Sequence, residues 1–447
     1  MKASDNQRIT RVGPGTECGR LMRQFWQPVA LLDEFDPALD PRMAQRPLKA
    51  VRLLGQDLLL WRDAQGNFAL VDRACPHRGA DLAFARYEPQ GIRCPFHGWQ
   101  FDASGQCVET PGEPTGSTLC QRIRQTTYPL RQACGVLFAW LGDNPANAPE
   151  LPPLDCFVAP DSHTFAFKGV WHCNWLQAFE VGIDPAHTSF LHRFFQDASL
   201  EDSYGKQFRN ASAGDARGQR WPMSRVMREG QPPDIAFEET PYGYAITTRR
   251  ELDAELTHVR VTHAMWPHTF VIPLSETMTI TQMHVPVDDT RTHWVSFFTS
   301  FNEPVQRQLM REQRLAGVTL PDYLPRKHAG NSWGFDPEEQ RTRTYLGMGE
   351  EDINVHDQWA CESMGAIQDR TKEHLGTTDK IIMANRRWLL RTLDAMAEGK
   401  PVGGLANAEV ARQTQGPDTV DGIAPRESWQ AWWREQVQRK RADAPWT

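Results

Sequence analysis

The stretch CPHRGADLAFARYEPQGIRCPFHGW, residues 75–99, places Cys75, His77, Cys94 and His97 within 23 positions. One residue separates Cys75 from His77, two separate Cys94 from His97, and sixteen lie between the pairs. Two short loops that must deliver four metal-binding side chains to one point leave a chain little freedom. Zinc fingers usually pair Cys with Cys and His with His, the histidines riding on a helix. Here each loop supplies one thiolate and one imidazole. That suits a two-iron cluster in which thiolates hold one iron and imidazoles the other. Pro76, Gly79, Pro95 and Gly98 flank the ligands and fit tight loops whose backbone N–H groups approach bridging sulfides. The nine cysteines are an odd, scattered set, which argues against a disulfide framework and for a metal site.

The 447 residues suggest several domains. A formal charge of -7 argues against nucleic acid or an anionic membrane as partner. The polar start MKASDNQRIT shows no signal peptide, and no apolar run reaches the ~18 residues of a membrane span, so a cytoplasmic protein is expected. Residues 15–36 read as a short helix and an extended segment. From 47 to 143, short β runs alternate with Gly, Asp and Asn turns, as in a small all-β domain. The Pro- and Ala-rich residues 144–153 read as a linker. The expected division is 1–46 packing on the core, 47–153 the β domain with its linker, and 154–447 a second domain. That domain begins with a helix-like stretch near 174–195 and continues with β runs such as GYAITTRREL and TMTITQMHVPV. Helices are expected near 303–317, 356–374, 379–399 and 427–442. The class is α+β, with an antiparallel sheet in the second domain.

A second site is legible in CNWLQAFEVGIDPAHTSFLH, residues 173–192, which holds Asp184, His187 and His192. On a slightly irregular helix the two histidines could face one point. Two histidines and a carboxylate make the facial triad of non-haem Fe(II) oxygenases. The plain alternative is a pair of partly buried histidines.

The C-x-H-x16-C-x2-H spacing resembles the Rieske [2Fe–2S] signature. The pattern N-W-x4-E-x3-D-x2-H-x4-H, from Asn174 to His192, resembles the iron-binding segment of Rieske non-haem iron aromatic oxygenases. GRLMRQFWQPVAL, GVLFAWLGD, HVPVDD and QWACESMGAIQDRTKEHLG extend the resemblance over nearly the whole chain, toward the phthalate and phenoxybenzoate dioxygenase branch. It implies an N-terminal Rieske domain and a C-terminal helix-grip, START-like catalytic domain. It also implies one [2Fe–2S] cluster and one mononuclear Fe(II). Arg78, Gly98 and Trp99 are expected around the cluster. Ala80 and Phe96 stand where high-potential Rieske proteins carry disulfide cysteines, and Trp99 and Phe101 where those proteins place hydroxyls on the cluster sulfurs. Fewer hydrogen bonds to sulfur imply a potential toward the low end of the Rieske range.

The carboxylate ligand is expected from Asp352, Asp357, Glu362, Asp369 or Asp379. In the family a Glu follows the ligand by five residues on a helix; Asp357 with Glu362 matches, and Asp352 is the runner-up. The resemblance makes Asp184 a bridge between a cluster histidine and an iron histidine of neighbouring subunits, implying a homotrimer or a stacked hexamer. Asn174 is expected near the iron, with a purely structural role as the alternative. Members of this branch grip aromatic carboxylates with arginine. Alternation along GYAITTRREL places Tyr244, Ile246, Thr248 and Arg250 on one face and Arg249 on the other. Arg250, with Arg249 second, is the expected substrate residue. The expected reaction is hydroxylation of an aromatic carboxylate by O₂, cis-dihydroxylation first. Monooxygenation or O-demethylation is an alternative, and an electron-transfer protein with a non-catalytic second domain a distant one. A separate NAD(P)H-dependent flavin and iron–sulfur reductase is expected, since no dinucleotide fingerprint or plant-type ferredoxin spacing is present.

Overall fold

The computed structural model describes residues 1–197, 212–215, 217–229, 232–349, 352–444 and 446. The chain divides into two compact units, Val12–Ala148 and Met1–Arg11 with Pro149–Thr447.

Within Val12–Ala148, short strands form three antiparallel sheets. One joins Gln27–Leu31, Val136–Ala139 and Leu130–Ala133. A second joins Leu48–Leu53, Gln56–Arg62, Phe68–Asp72 and Thr127–Tyr128. The third runs Arg86–Glu88, Gly91–Arg93, Gln100–Phe101, Cys107–Glu109. One apolar core, including Leu59, Trp61, Val71, Leu82, Ile92 and Phe101, also contains Cys75 and Cys94. The cysteines are therefore fixed by packing at the roots of their loops.

The other unit is built on an antiparallel sheet. Its order is Thr164–Trp171, Arg291–Ser300, Met278–Asp288, Thr269–Pro273, Leu256–Met265, Gly243–Glu251, Asp234–Thr240. Val420–Pro425 adds to Leu256–Met265 below the point where Thr269–Pro273 pairs with it. The expected alternation is present: Tyr244, Ile246, Thr248 and Arg250 are buried, while Ala245, Thr247 and Arg249 are partly exposed. Helix Trp175–Ile183 packs on this sheet and is contacted by helices Asn354–Glu362, Lys380–Ala397 and Ala3–Thr10. Sequence periodicity does not disclose the last of these, because it is short and mostly polar.

Two expected helices are shorter than their patterns suggest. The helix beginning at Trp175 ends at Ile183, because Asp184 precedes Pro185 and is pushed into extended backbone, φ -86° and ψ 111°. His187 lies on a separate 3₁₀ turn, His187–Ser189, and His192 beyond it, so the two histidines do not share a helix. The helix expected at 356–374 is confined to Asn354–Glu362, and Gly365 lies just beyond with φ +89°. The freed segment carries Arg370 inward to Glu180, 3.0 Å away. Arg386 joins the same carboxylate at 2.5 Å and also pairs with Glu373. A buried charge group thus ties helix Trp175–Ile183 to the elements that follow Asp357. Among the described residues no helix is long and apolar enough to cross a membrane.

Candidate metal centres

The two cysteine–histidine loops close with the same hydrogen bonds. Cys75 N donates to Ala80 O at 2.8 Å and Gly79 N to Cys75 O at 2.8 Å; Cys94 N donates to Trp99 O at 2.8 Å and Gly98 N to Cys94 O at 3.0 Å. Both glycines adopt positive φ, +76° and +77°, a conformation that costs an L-residue about 1–2 kcal/mol. The result puts both thiols in the core and both imidazoles at half-exposed tips. The His77 and His97 rings lie 4.5 Å apart between centroids. Trp99 stacks on His77 at 4.3 Å, fixing that ring from behind. Arg78 sits over Phe96, which in turn touches the His97 ring. His97 Nδ1 is buried and has no hydrogen-bond partner among the described residues. Burial pushes the Cys75 thiol up to about 11, and the adjacent Cys94 adds to it. Two adjacent buried thiols and a buried imidazole nitrogen with no partner among the described residues fit a bound cationic cluster, whose metal would deprotonate the thiols.

In the other unit, His187, His192 and Asp357 bring one ligand atom each to within 4.8 Å of one another. His192 Nε2 is 3.2 Å and His187 Nε2 3.8 Å from Asp357 Oδ1. The two rings are nearly perpendicular, with centroids 5.1 Å apart. Leu191 N donates back to His187 O at 2.8 Å, which turns the chain so that both rings face helix Asn354–Glu362. Asp357 Oδ1 is buried with no hydrogen-bond donor among the described residues. Burial alone would raise this carboxyl; the His192, His187 and His356 rings outweigh it and hold it below the usual carboxylate range. A buried carboxylate oxygen between two imidazole nitrogens fits a divalent cation with an oxygen- and nitrogen-rich site, and iron(II) is one such ion.

Each histidine has a neighbour on its outer nitrogen. His187 Nδ1 is 3.7 Å from Asp184 Oδ2, and His192 Nδ1 is 3.3 Å from His356 Nδ1. Asp184 accepts from Ala186 N through its other oxygen and is partly exposed. It lines a groove of about 520 Å³ with His187, Phe190, Tyr345, Trp359 and Met364.

The remaining sequence candidates separate clearly. Asp352 pairs with Arg314 at 3.2 Å. Glu362 accepts from His172 N and Trp333 Nε1 at 2.8 and 2.7 Å. Asp369 accepts from Thr371, and Asp379 from Gly376 N. Only Asp357 reaches the histidines among these acids. Asn174 takes the structural alternative and caps helix Trp175–Ile183. Its Oδ1 accepts from Leu176 N, and its Nδ2 donates to Thr10 O and Asp289 O, which engages the whole amide in backbone contacts. Arg249 points away from the site, pairing with Asp234 at 2.5 Å and lying over Trp429. Arg250 lies inside, 1% exposed. Its Nη2 donates to Pro185 O, Thr188 Oγ1 and Ser189 Oγ at 3.2–3.3 Å, next to His187. Its Nε and Nη1 have no acceptor among the described residues. Burial lowers the guanidinium to about 10, so it remains charged at neutral pH. His356 was not singled out by sequence; a histidine directly preceding the candidate ligand Asp357 was the one available signal.

Residues 26–129 match the Rieske [2Fe-2S] domain family, and residues 139–444 match the family described as LigXa C-terminal domain like. The phthalate 4,5-dioxygenase oxygenase subunit of Pseudomonas putida is 31% identical, covering 92% of this chain and 90% of that one. The 5,5'-dehydrodivanillate O-demethylase oxygenase subunit of Sphingobium sp. is also 31% identical, covering 90% and 82%. Among solved structures, dicamba monooxygenase bound to dicamba aligns with a TM-score of 0.53 at 15% identity, over 85% of this chain and 99% of that one. The NdmA QL mutant of Pseudomonas putida CBB5 with theobromine also scores 0.53, at 16% identity over 91% and 98%. At such identities these two likenesses speak for a common fold.

Proposed function

The chain belongs to the Rieske non-haem iron oxygenases, and from that premise we propose that it hydroxylates an aromatic carboxylate held through Arg250. It is the oxygenase component of a multicomponent oxidoreductase, with a Rieske [2Fe–2S] cluster and a mononuclear iron as cofactors. Cys75, His77, Cys94 and His97 would hold the cluster, and His187, His192 and Asp357 the iron. When bound, the iron activates O₂ with electrons relayed by the cluster.

The observation that carries the substrate reading is the Arg250 guanidinium. It is buried, charged and tied by Nη2 to the turn that carries His187, while Nε and Nη1 have no acceptor among the described residues. Leaving a buried charged donor unpaired is costly. A substrate carboxylate would accept from one of these donors and place the ring beside the metal. The substrates for which the relatives are named, phthalate, 3-chlorobenzoate and phenoxybenzoate among them, agree with this chemistry. Asp184 supports the bridge reading: one oxygen is fixed by Ala186 N, and the other faces His187 from a partly exposed position. A cluster histidine of a neighbouring copy would donate to it, in a homotrimer or stacked hexamer. Electrons would enter the cluster from a separate NAD(P)H-dependent reductase.

A second reading, O-demethylation of an aromatic methoxy acid, is favoured by the equally similar demethylase subunit. Oxygen-uptake measurements over phthalates, substituted benzoates and methoxybenzoates, with product identification, test both. The primary reading expects substrate-dependent uptake and a ring-hydroxylated acid. A phenol with formaldehyde would support demethylation. Turnover of neutral analogues as fast as of their acids would contradict the carboxylate reading.

A further inference from the structure

We propose that His356 is a positioning residue that fixes the tautomer and ring plane of the metal-binding histidine His192; this rests on the assignment of His192 to the iron. His356 is fully buried. Its Nε2 lies 2.8 Å from the carbonyl oxygen of Gly349. A carbonyl only accepts, so this nitrogen carries the proton, and Nδ1 of the neutral ring is left with a lone pair. That Nδ1 is 3.3 Å from His192 Nδ1. The ring centroids are 5.5 Å apart and the planes 23° apart, so the rings meet edge to edge along the N···N line. His192 Nδ1 must then donate. Its lone pair is placed on Nε2, the atom 3.2 Å from Asp357 Oδ1.

In that tautomer two acceptors face each other, the His192 Nε2 lone pair and a carboxylate oxygen with no hydrogen-bond partner among the described residues. A cation held between them reconciles the contact. The orienting group is joined covalently to the ligand it serves with, since His356 and Asp357 are consecutive on helix Asn354–Glu362. Position along that helix therefore sets both the carboxylate and the imidazole plane. Gly349 completes the relay from the loop before the helix. A donating outer nitrogen also makes the inner one more basic, which strengthens metal binding.

The test uses the full-length protein with its cluster intact and the mononuclear iron removed by a chelator. Cobalt(II) binding to the emptied site is followed by its visible spectrum in wild type, His356→Leu and His356→Asn. The leucine removes the acceptor. The asparagine restores it, because its side-chain oxygen occupies nearly the place of the imidazole Nδ1. His356→Leu is expected to lose about 10–100-fold in affinity, and His356→Asn to recover to within a few-fold of wild type. A purely packing role would make the smaller, polar asparagine no better than leucine. Should His356→Leu fail to fold, the asparagine variant decides alone: near-wild-type affinity supports the relay, and a tenfold or larger loss with the cluster spectrum unchanged overturns it. Wild-type affinity in His356→Leu also overturns it. If wild-type protein itself binds no cobalt there, the assignment of the metal to His187, His192 and Asp357 fails instead, a distinguishable result.

Discussion

Arg250 and Asp184 both touch the short turn around His187, and their roles separate by measurement. Arg250 has two donor nitrogens without an acceptor among the described residues, either of which can meet an anion, and a third already engaged with the turn. Arg250→Gln should leave both metals bound and raise KM for acid substrates. The loss of a charge-assisted hydrogen bond is worth about 1.5–3 kcal/mol, or about 10–160-fold. Steady-state oxygen uptake checks it; equal KM in the variant would remove Arg250 from substrate binding. Asp184 has one oxygen toward His187 Nδ1 and is not among the three metal-facing groups. Asp184→Ala should therefore keep the iron and the cluster, yet slow cluster re-oxidation strongly when reduced enzyme meets substrate and O₂ in a single turnover. Re-oxidation at the wild-type rate would refute the bridge. At this scale the sequence was most informative where spacing reports chemistry, as in Cys75, His77, Cys94 and His97. It could not choose between a place near the iron and a structural role for Asn174, whose amide is engaged by backbone groups from residues 10 and 289 that no local pattern brings near.

Secondary elements position these residues by where they stop. Pro185 ends one helix before His187, and Gly365 lies just past the end of another after Asp357. Periodicity alone carried both helices too far, because the apolar pattern continues past the last helical residue. The strands were legible from their alternation. The pairing of Val420–Pro425 with Leu256–Met265 was not, since about 160 residues lie between them and register is a tertiary property. The cluster loops offer an element-scale test. Gly98 and Gly79 share a positive φ, but a Cβ at Gly98 would meet Pro111 Cγ at 2.6 Å, whereas one at Gly79 meets nothing within 4 Å. Gly79→Ala should cost about 1–2 kcal/mol from backbone conformation alone. Gly98→Ala should cost more and lose cluster on mild heating. Thermal melts followed at the cluster's visible absorbance give the comparison; equal melting temperatures would show that the Pro111 contact relaxes freely.

The molecule as a whole should be sensitive to acid. His263 and His268 are buried and held at about 4 by that burial. An unfolded histidine titrates near 6.5. Above that pH both states leave these rings neutral and the full stability is present. As pH falls from about 6.5 to about 4, only the unfolded chain takes up the protons, so stability is lost by up to about 1.4 kcal/mol per pH unit for each ring. Below about 4 the contribution levels off. Denaturant titrations of wild type and His268→Gln between pH 7 and 4 should show a steeper fall in wild type, by about one proton per molecule. Parallel curves would mean that His268 is not neutral in the folded protein.

Metal analysis of three proteins tests whether one chain carries both a Rieske cluster and a separate iron held by His187, His192 and Asp357. Iron and acid-labile sulfide are measured in wild type, Asp357→Asn and Asp352→Asn, together with the reduced cluster's EPR signal. Wild type and Asp352→Asn should contain the cluster's two irons plus one more. Asp357→Asn should retain the cluster iron, sulfide and EPR signal but lose the additional iron and all oxygen uptake. Full iron and activity in Asp357→Asn, with their loss in Asp352→Asn, would move the metal ligand from Asp357 to Asp352.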